Sequence, residues 1–352
     1  MLKEEENKIE INPVGLINLS RYQKIKGYHY YKKTNLFNSC YINSSIQCLF
    51  RFSEFVEKIM KCDPNKGKLL LATQNLIKSM QTMKYEKIKQ CSILEIKTAM
   101  GENVDIYSKD NQEDADEFIS NYLNNLIEET KDNIKIYWKC TKSDEENFMK
   151  FYQKFIKRKG TSFILNLFYG LLRTKNYCNK CNIIYSIKFN SFNILQIPIY
   201  EDDLTFENNK KLDLRDILFK FISEKKKEDD VCQKCNHLIR VKTLINSLPK
   251  CLIIHFINNY SKNKLNNIDV PKSFNFENFV YDKSLNDGDD YIYNLKGIIF
   301  YSSYSSKGGH YKAACLGNDK KWYYFDDNKF ETDKDLLRIY DNDNPTFLFY
   351  EK

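Results

Sequence analysis

Long apolar runs are missing from this 352-residue chain. The longest, Phe163 to Leu172, is interrupted by Asn166 and is too short to span a bilayer. The first residues, Met1-Leu2-Lys3-Glu4-Glu5-Glu6, are charged where a secretion signal needs an apolar stretch. There is no internal repeat. There is no basic cluster either, although the net charge is +8 and 29% of residues are charged. A nucleic-acid binder concentrates such charge on one element, so the scattered lysines read as a solvated surface, with no nucleic acid and no membrane as partners. Histidine is scarce: His29, His237, His255 and His310 are the four in the chain. The eleven cysteines are odd in number and irregularly spaced, which argues against a disulfide framework. They read as reduced thiols and metal ligands, as expected of the cytoplasm or nucleus.

What is present divides into an early helical part and a later strand-rich part. Residues 1–28 are a polar segment. From Asp114 to Ile127, the residues Phe118, Tyr122, Leu123 and Leu126 fall on one side of a helix. Beyond Asn166 the pattern alternates, as in Tyr185, Ile187 and Phe189, then Leu195, Ile197 and Ile199. Pro198 marks an edge or a strand end. Further strands are expected at Leu252 to Phe256, Tyr293 to Tyr301, Tyr311 to Leu316, Trp322 to Phe325 and Thr346 to Tyr350. The charged stretches Glu201 to Lys211 and Ser223 to Asp230 read as loops. Helices first and strands later indicate an α+β fold.

Cys40 has the setting of a nucleophile. Ile42, Ile46, Leu49 and Phe50 follow it at helical spacing, and Asn38 or Ser39 can cap that helix. Cys40 then lies in the first turn, where unsatisfied N–H groups favour a thiolate. Asn35, on the loop leading in, carries an amide that can donate to an oxyanion beside the sulfur. Among the histidines, His255 sits in a strand that is apolar on both faces, and His237 follows a cysteine pair. His310 alone follows a Ser- and Gly-rich turn, Ser302 to Gly309. Asp326 and Asp327 come after it. Cys, His and Asp in that order are the parts of thiol-dependent acyl transfer.

The two pairs Cys178-Asn179-Lys180-Cys181 and Cys232-Gln233-Lys234-Cys235 can each supply two thiolates from one turn. Four thiolates complete a closed tetrahedral zinc shell, and Lys180 and Lys234 can offset its surplus negative charge. A redox role needs a thioredoxin-like βαβ setting, which is not evident.

Asn35 to Gln47 resembles the Cys box of the ubiquitin-specific proteases, N-x-G-N-T-C-Y-x-N-S-x-x-Q. Gly309-His310-Tyr311 and Trp322 to Asp327 resemble their His box. Gln112-Glu113-Asp114-Ala115-Asp116-Glu117-Phe118 is similar to Q-Q-D-x-x-E-F, and Leu248 to His255 to L-P-x-x-L-x-x-H. Phe347 to Tyr350 resembles the closing strand. The blocks run in the family's order from about residue 30 to the last residue. Two positions depart from the pattern. Phe37 stands where the family usually has Gly, and Ile257-Asn258-Asn259 where it often has Lys-Arg-Phe.

The resemblance implies a papain-like cysteine protease with thumb (about 29–160), fingers (about 165–250, with a four-Cys zinc site) and palm (about 251–352 plus parts of the preceding region). It implies a deubiquitinase that cuts after the C-terminal glycine of ubiquitin. Cys40 would be the nucleophile, His310 the base, Asp326 its orienting group with Asp327 as possible helper, and Asn35 the oxyanion donor. Asp114 and Glu117, with Gln112 and Tyr311 beside them, would meet the ubiquitin tail. The rival expectations are a non-catalytic ubiquitin-binding scaffold and a protease for a ubiquitin-like modifier.

Overall fold

The computed structural model describes residues 9–17, 38–82, 90–109, 111–199, 212–258, 268–285, 291–305, 308–333 and 344–352. His29, Asn35, Phe37 and the stretch Glu201 to Lys211 lie outside the described residues. The chain divides into two compact units, Met1–Thr130 with Lys296–Phe349, and Lys131–Leu295 with Tyr350–Lys352.

The first unit carries the helices Cys40–Leu49, Ser53–Lys61, Lys68–Thr82, Leu94–Asn103 and Ala115–Glu129. Every residue of the Cys40 helix is buried. A helix buried on all sides must satisfy its own polar groups. Ser45 Oγ accordingly donates back to Tyr41 O at 2.6 Å, and Gln47 Nε2 donates to Val14 O at 2.6 Å. The helix Ala115–Glu129 buries Phe118, Tyr122, Leu123 and Leu126, as the spacing predicts, together with Ala115, Ile119 and Ile127. Phe118 packs edge-on against Tyr41 at 5.7 Å between ring centres, so an aromatic contact joins this helix to the Cys40 helix.

The strands of this unit run antiparallel in sequence order: Ile292–Ser305 from Lys296 onward, Gly308–Leu316, Trp322–Asp326 and Lys329–Asp333. Of the Ser302 to Gly309 turn expected from the sequence, Ser302 to Ser305 and Gly308 to Gly309 lie in strands, and Ser306 and Lys307 lie outside the described residues. Ser302 pairs with His310 and Ser303 with Gly309, with a bulge before the Ser305–Gly308 pair. The physical reason lies in Gly309. A Cβ there would stand 2.4 Å from the Tyr301 hydroxyl and 2.6 Å from Ser302 O. Glycine serves close backbone approach at this position rather than loop freedom.

The second unit carries the helices Glu145–Lys159, Phe163–Phe168 and Leu214–Ile222. An antiparallel sheet has the order Ile184–Phe192, Gly170–Tyr177, Leu238–Ser247, Lys225–Val231. Ser223 to Asp230 is therefore mostly a strand and not a loop. Lys225–Val231 lies at the sheet edge, where lysines keep the exposed side in water and deter further pairing. Leu195–Ile199 pairs in parallel with Cys251–Asn258, and Pro198 is its penultimate residue. His255 is half-buried on the latter strand. Asp144, just before the helix Glu145–Lys159, accepts from Arg173 Nε at 2.6 Å and Nη2 at 3.1 Å, both side chains buried. The Arg173 guanidinium also lies 4.0 Å from the centre of the Tyr281 ring. The apolar run Phe163 to Leu172 splits into a short helix and the start of a strand, and no described helix is long and apolar enough to cross a membrane.

Candidate active site

Cys40 is the first residue of its helix and is 3% exposed. Ser39 occupies the cap position, but its side chain makes no capping bond. Its ψ of 12° departs from the extended backbone that aims a capping hydroxyl at the helix N–H groups. Asn38 takes the left-handed conformation, φ 63°, which Asn tolerates better than most residues. The leading N–H groups of the helix thus stay close to the thiol.

His310 is the third residue of the strand Gly308–Leu316. Its Nε2–H donates to Asp326 Oδ1 at 2.6 Å. That leaves Nδ1 as the ring nitrogen for Cys40, whose thiol is also hydrogen-bonded to this imidazole. Asp326 first, then Cys40, raise His310 to about 10, against the opposing effect of burial. In return the His310 contact holds the Asp326 carboxyl below its ordinary value. The sheet explains the meeting. His310 and Lys312 lie two apart, on one face of their strand. Asp326, on the neighbouring strand, reaches both, with Oδ2 at 3.9 Å from Lys312 Nζ.

Asp327 does something else. It begins the two-residue turn between Trp322–Asp326 and Lys329–Asp333, with φ 54°. Its Oδ1 accepts from Asn43 Nδ2 at 2.8 Å, and its carbonyl accepts from Leu16 N at 3.0 Å. Asn43 also donates to Leu16 O at 3.1 Å. Of the two aspartates, Asp326 bonds the imidazole and Asp327 ties that turn to the Cys40 helix. Asn43 and Lys312 were not singled out from the sequence. The available signal was spacing, since Asn43 lies one helical turn beyond Cys40 and Lys312 shares a strand face with His310.

Asp114 sits at the cap position of Ala115–Glu129, and Glu117 lies within that helix's first turn. Both are exposed. Glu113, Asp114, Asp116 and Glu117 crowd four carboxylates into five residues. Burial, then Glu117 and Asp114, raise Glu113; burial, then Asp116, raise Asp114, and a bond from the Tyr311 hydroxyl counters part of that. Tyr311 is buried and packs at a tilt against Tyr301, ring centres 4.7 Å apart and planes at 43°. Gln112 Nε2 lies 3.8 Å from Cys40 Sγ. Asn35 is outside the described residues.

In the second unit, the sulfur atoms of Cys178, Cys181, Cys232 and Cys235 all lie within 4.8 Å of one another. The two turns repeat one geometry. Cys178 N donates to Ile183 O, and Cys232 N donates to His237 O, both five residues on. Asn182 and Asn236, each just after its second cysteine, are both left-handed. The Tyr185 hydroxyl donates to Cys232 Sγ at 3.1 Å and is the main cause lowering that thiol to about 6. This donor set can bind a metal. His237 contributes its carbonyl to the turn and is not a member of the cluster.

Helices and strands that bring a helix-terminal thiol to an imidazole and its carboxylate define a papain-like α+β fold. A family model described as ubiquitin carboxyl-terminal hydrolase matches residues 31–350, and the chain belongs to that family. The fruit-fly protein named ubiquitin carboxyl-terminal hydrolase Usp2 is 27% identical over 318 residues, covering 84% of this chain and 32% of the relative. Human ubiquitin carboxyl-terminal hydrolase 2 is 25% identical over 320 residues, covering 84% of this chain and 51% of that protein. The chain thus spans a third to a half of these curated relatives. Among solved structures, the SAGA Ubp8/Sgf11/Sus1/Sgf73 DUB module bound to ubiquitin aldehyde matches with a TM-score of 0.66 and 19% identity, over 98% of this chain and 70% of that one. That likeness is one of fold.

Proposed function

We propose that this protein is a deubiquitinase, hydrolysing the bond after the C-terminal glycine of ubiquitin through Cys40. The contact of His310 with both Cys40 and Asp326 carries the reading. His310 takes the thiol proton, and the Cys40 sulfur attacks the carbonyl carbon. The imidazolium returns its proton to the leaving amine, and a thioester remains. His310 then activates water to cleave that thioester, releasing ubiquitin and the free thiol. Asp326 keeps the imidazole in the tautomer that presents Nδ1 to the sulfur. Asn35 donates to the oxyanion, as the family resemblance implies.

Ubiquitin is the partner, and its arginine-bearing tail meets Asp114 and Glu117, with Tyr311 lining the channel. The crowded carboxylates of Glu113 to Glu117 support this, since like charges held together gain most from an incoming guanidinium. The metal of the four cysteines is zinc in a structural role. At a Zn–S length of about 2.3 Å, a tetrahedron needs sulfur atoms about 3.8 Å apart. The sulfurs of Cys178 and Cys235, and of Cys181 and Cys232, are 3.4 Å apart, and those of Cys181 and Cys235 are 3.9 Å apart. Free thiols and a ubiquitin substrate agree with a place in the cytoplasm or nucleus.

The test is a panel of C-terminal electrophile probes built on ubiquitin and on ubiquitin-like modifiers, with Cys40→Ala as control. Labelling of wild type by the ubiquitin probe, lost in Cys40→Ala while circular dichroism is unchanged, is the expected result. Turnover of a ubiquitin reporter by Cys40→Ala near that of wild type would sink the assignment. Labelling by a modifier other than ubiquitin alone would redirect it.

A further inference from the structure

Gln112 makes contacts that the mechanism above leaves unused. It stands just before the helix Ala115–Glu129. Its Nε2 donates to Gly309 O at 2.6 Å, and its Oε1 accepts from Gly309 N at 3.0 Å. One side-chain amide thus pairs with one backbone residue as two residues pair across a sheet. Gly309 is the residue before His310. An amide nitrogen carries two N–H groups. One goes to Gly309, and Nε2 also lies 3.8 Å from Cys40 Sγ, within reach for a sulfur acceptor. The Cys40 helix and the His310 strand are therefore bridged by a single side chain. Both polar ends of that side chain are engaged by this chain's own groups.

We infer that Gln112 is a positioning residue, clamping Gly309 so that His310 stays in register with Cys40 while its second N–H faces the sulfur. The roles of Cys40 and His310 come from the deubiquitinase reading; the clamp itself does not require ubiquitin. Gln112→Glu is nearly isosteric and still accepts from Gly309 N–H. It loses the donor to Gly309 O and brings negative charge to the sulfur, which disfavours a thiolate there.

Two measurements on the full chain test this. The first is the rate of Cys40 alkylation by iodoacetamide against pH, followed on the Cys40 peptide by mass spectrometry. The second is kcat and KM on a ubiquitin C-terminal reporter. In Gln112→Glu the alkylation midpoint should move up by about one pH unit. In both Gln112→Glu and Gln112→Ala, kcat should fall about tenfold or more with KM within about twofold. Should Gln112→Ala fail to fold, the isosteric Gln112→Glu carries the test. A raised KM with unchanged kcat and an unchanged alkylation profile would make Gln112 a substrate contact and overturn the clamp. If wild type itself turns over no ubiquitin reporter, the alkylation profiles still decide the role of Gln112, so the two failures are distinct.

Discussion

Replacing Asp326 by Asn tests the division of labour between the two adjacent aspartates. The His310–Asp326 bond is short at 2.6 Å and charge-assisted. Bonds of this kind contribute about 1.5–3 kcal/mol. The Asp326 side chain is 45% exposed, so solvent screening places the effect near the lower end. About 1.5 kcal/mol corresponds to a loss in kcat/KM of roughly tenfold, since about 1.4 kcal/mol is a factor of ten. The pH dependence has a definite sign. Asp326 is the largest cause holding His310 at about 10. Without its charge the imidazolium deprotonates at lower pH, so the basic limb of the kcat/KM profile moves toward neutrality. Asp327→Asn keeps an acceptor for Asn43 and should stay within about twofold of wild type. The assay is reporter hydrolysis from pH 5 to 10.5 for the two variants. Equal losses in both, or an unmoved basic limb in Asp326→Asn, would refute the assignment of Asp326 as the orienting group.

Metal analysis of purified protein should find one zinc per chain, and Cys232→Ser or chelation should lower the Tm; a zinc-free protein of wild-type stability would remove the site. Reversing Asp114 and Glu117 to Lys together should lower kcat/KM on ubiquitin substrates by about tenfold or more, because charge-assisted pairs contribute about 1.5–3 kcal/mol each. Alkylation of Cys40 by a small reagent should barely change in that variant, and unchanged kcat/KM would mark these carboxylates as solvated surface. Asp144→Ala leaves the Arg173 guanidinium buried without its carboxylate, and urea unfolding should show a loss of about 3–5 kcal/mol; a loss below about 1 kcal/mol would mean that the site rehydrates.

Much of the fold was readable along the chain. The α+β class, the helix carrying Phe118 to Leu126 and the late strands follow from apolar spacing, because periods of 3.6 and 2 are properties of local backbone geometry. The cysteine pairs were also readable, since two ligands in one turn are near each other wherever the turn goes. Two local readings failed for nonlocal reasons. Ser223 to Asp230 looks like a loop by charge, yet most of it is an edge strand because Leu238–Ser247 offers it a partner. Ser302 to Gly309 looks like a flexible turn by composition, yet Gly309 is there to let its backbone approach Tyr301.

Sequence by itself determined the chemical inventory: a thiol opening a helix, an imidazole, two aspartates and four paired cysteines, each specified by short-range pattern. It also carried the family, because ordered blocks survive in the primary structure. Only the tertiary structure decided which aspartate meets His310, that Asn43 holds the other, and that Gln112 pairs with Gly309 beside Cys40. Asn43 and Asp327 are 284 positions apart, and Gln112 and Gly309 are 197 apart. Contacts of that span leave no local period or spacing to read, because strand register and helix packing create them only once the core has closed.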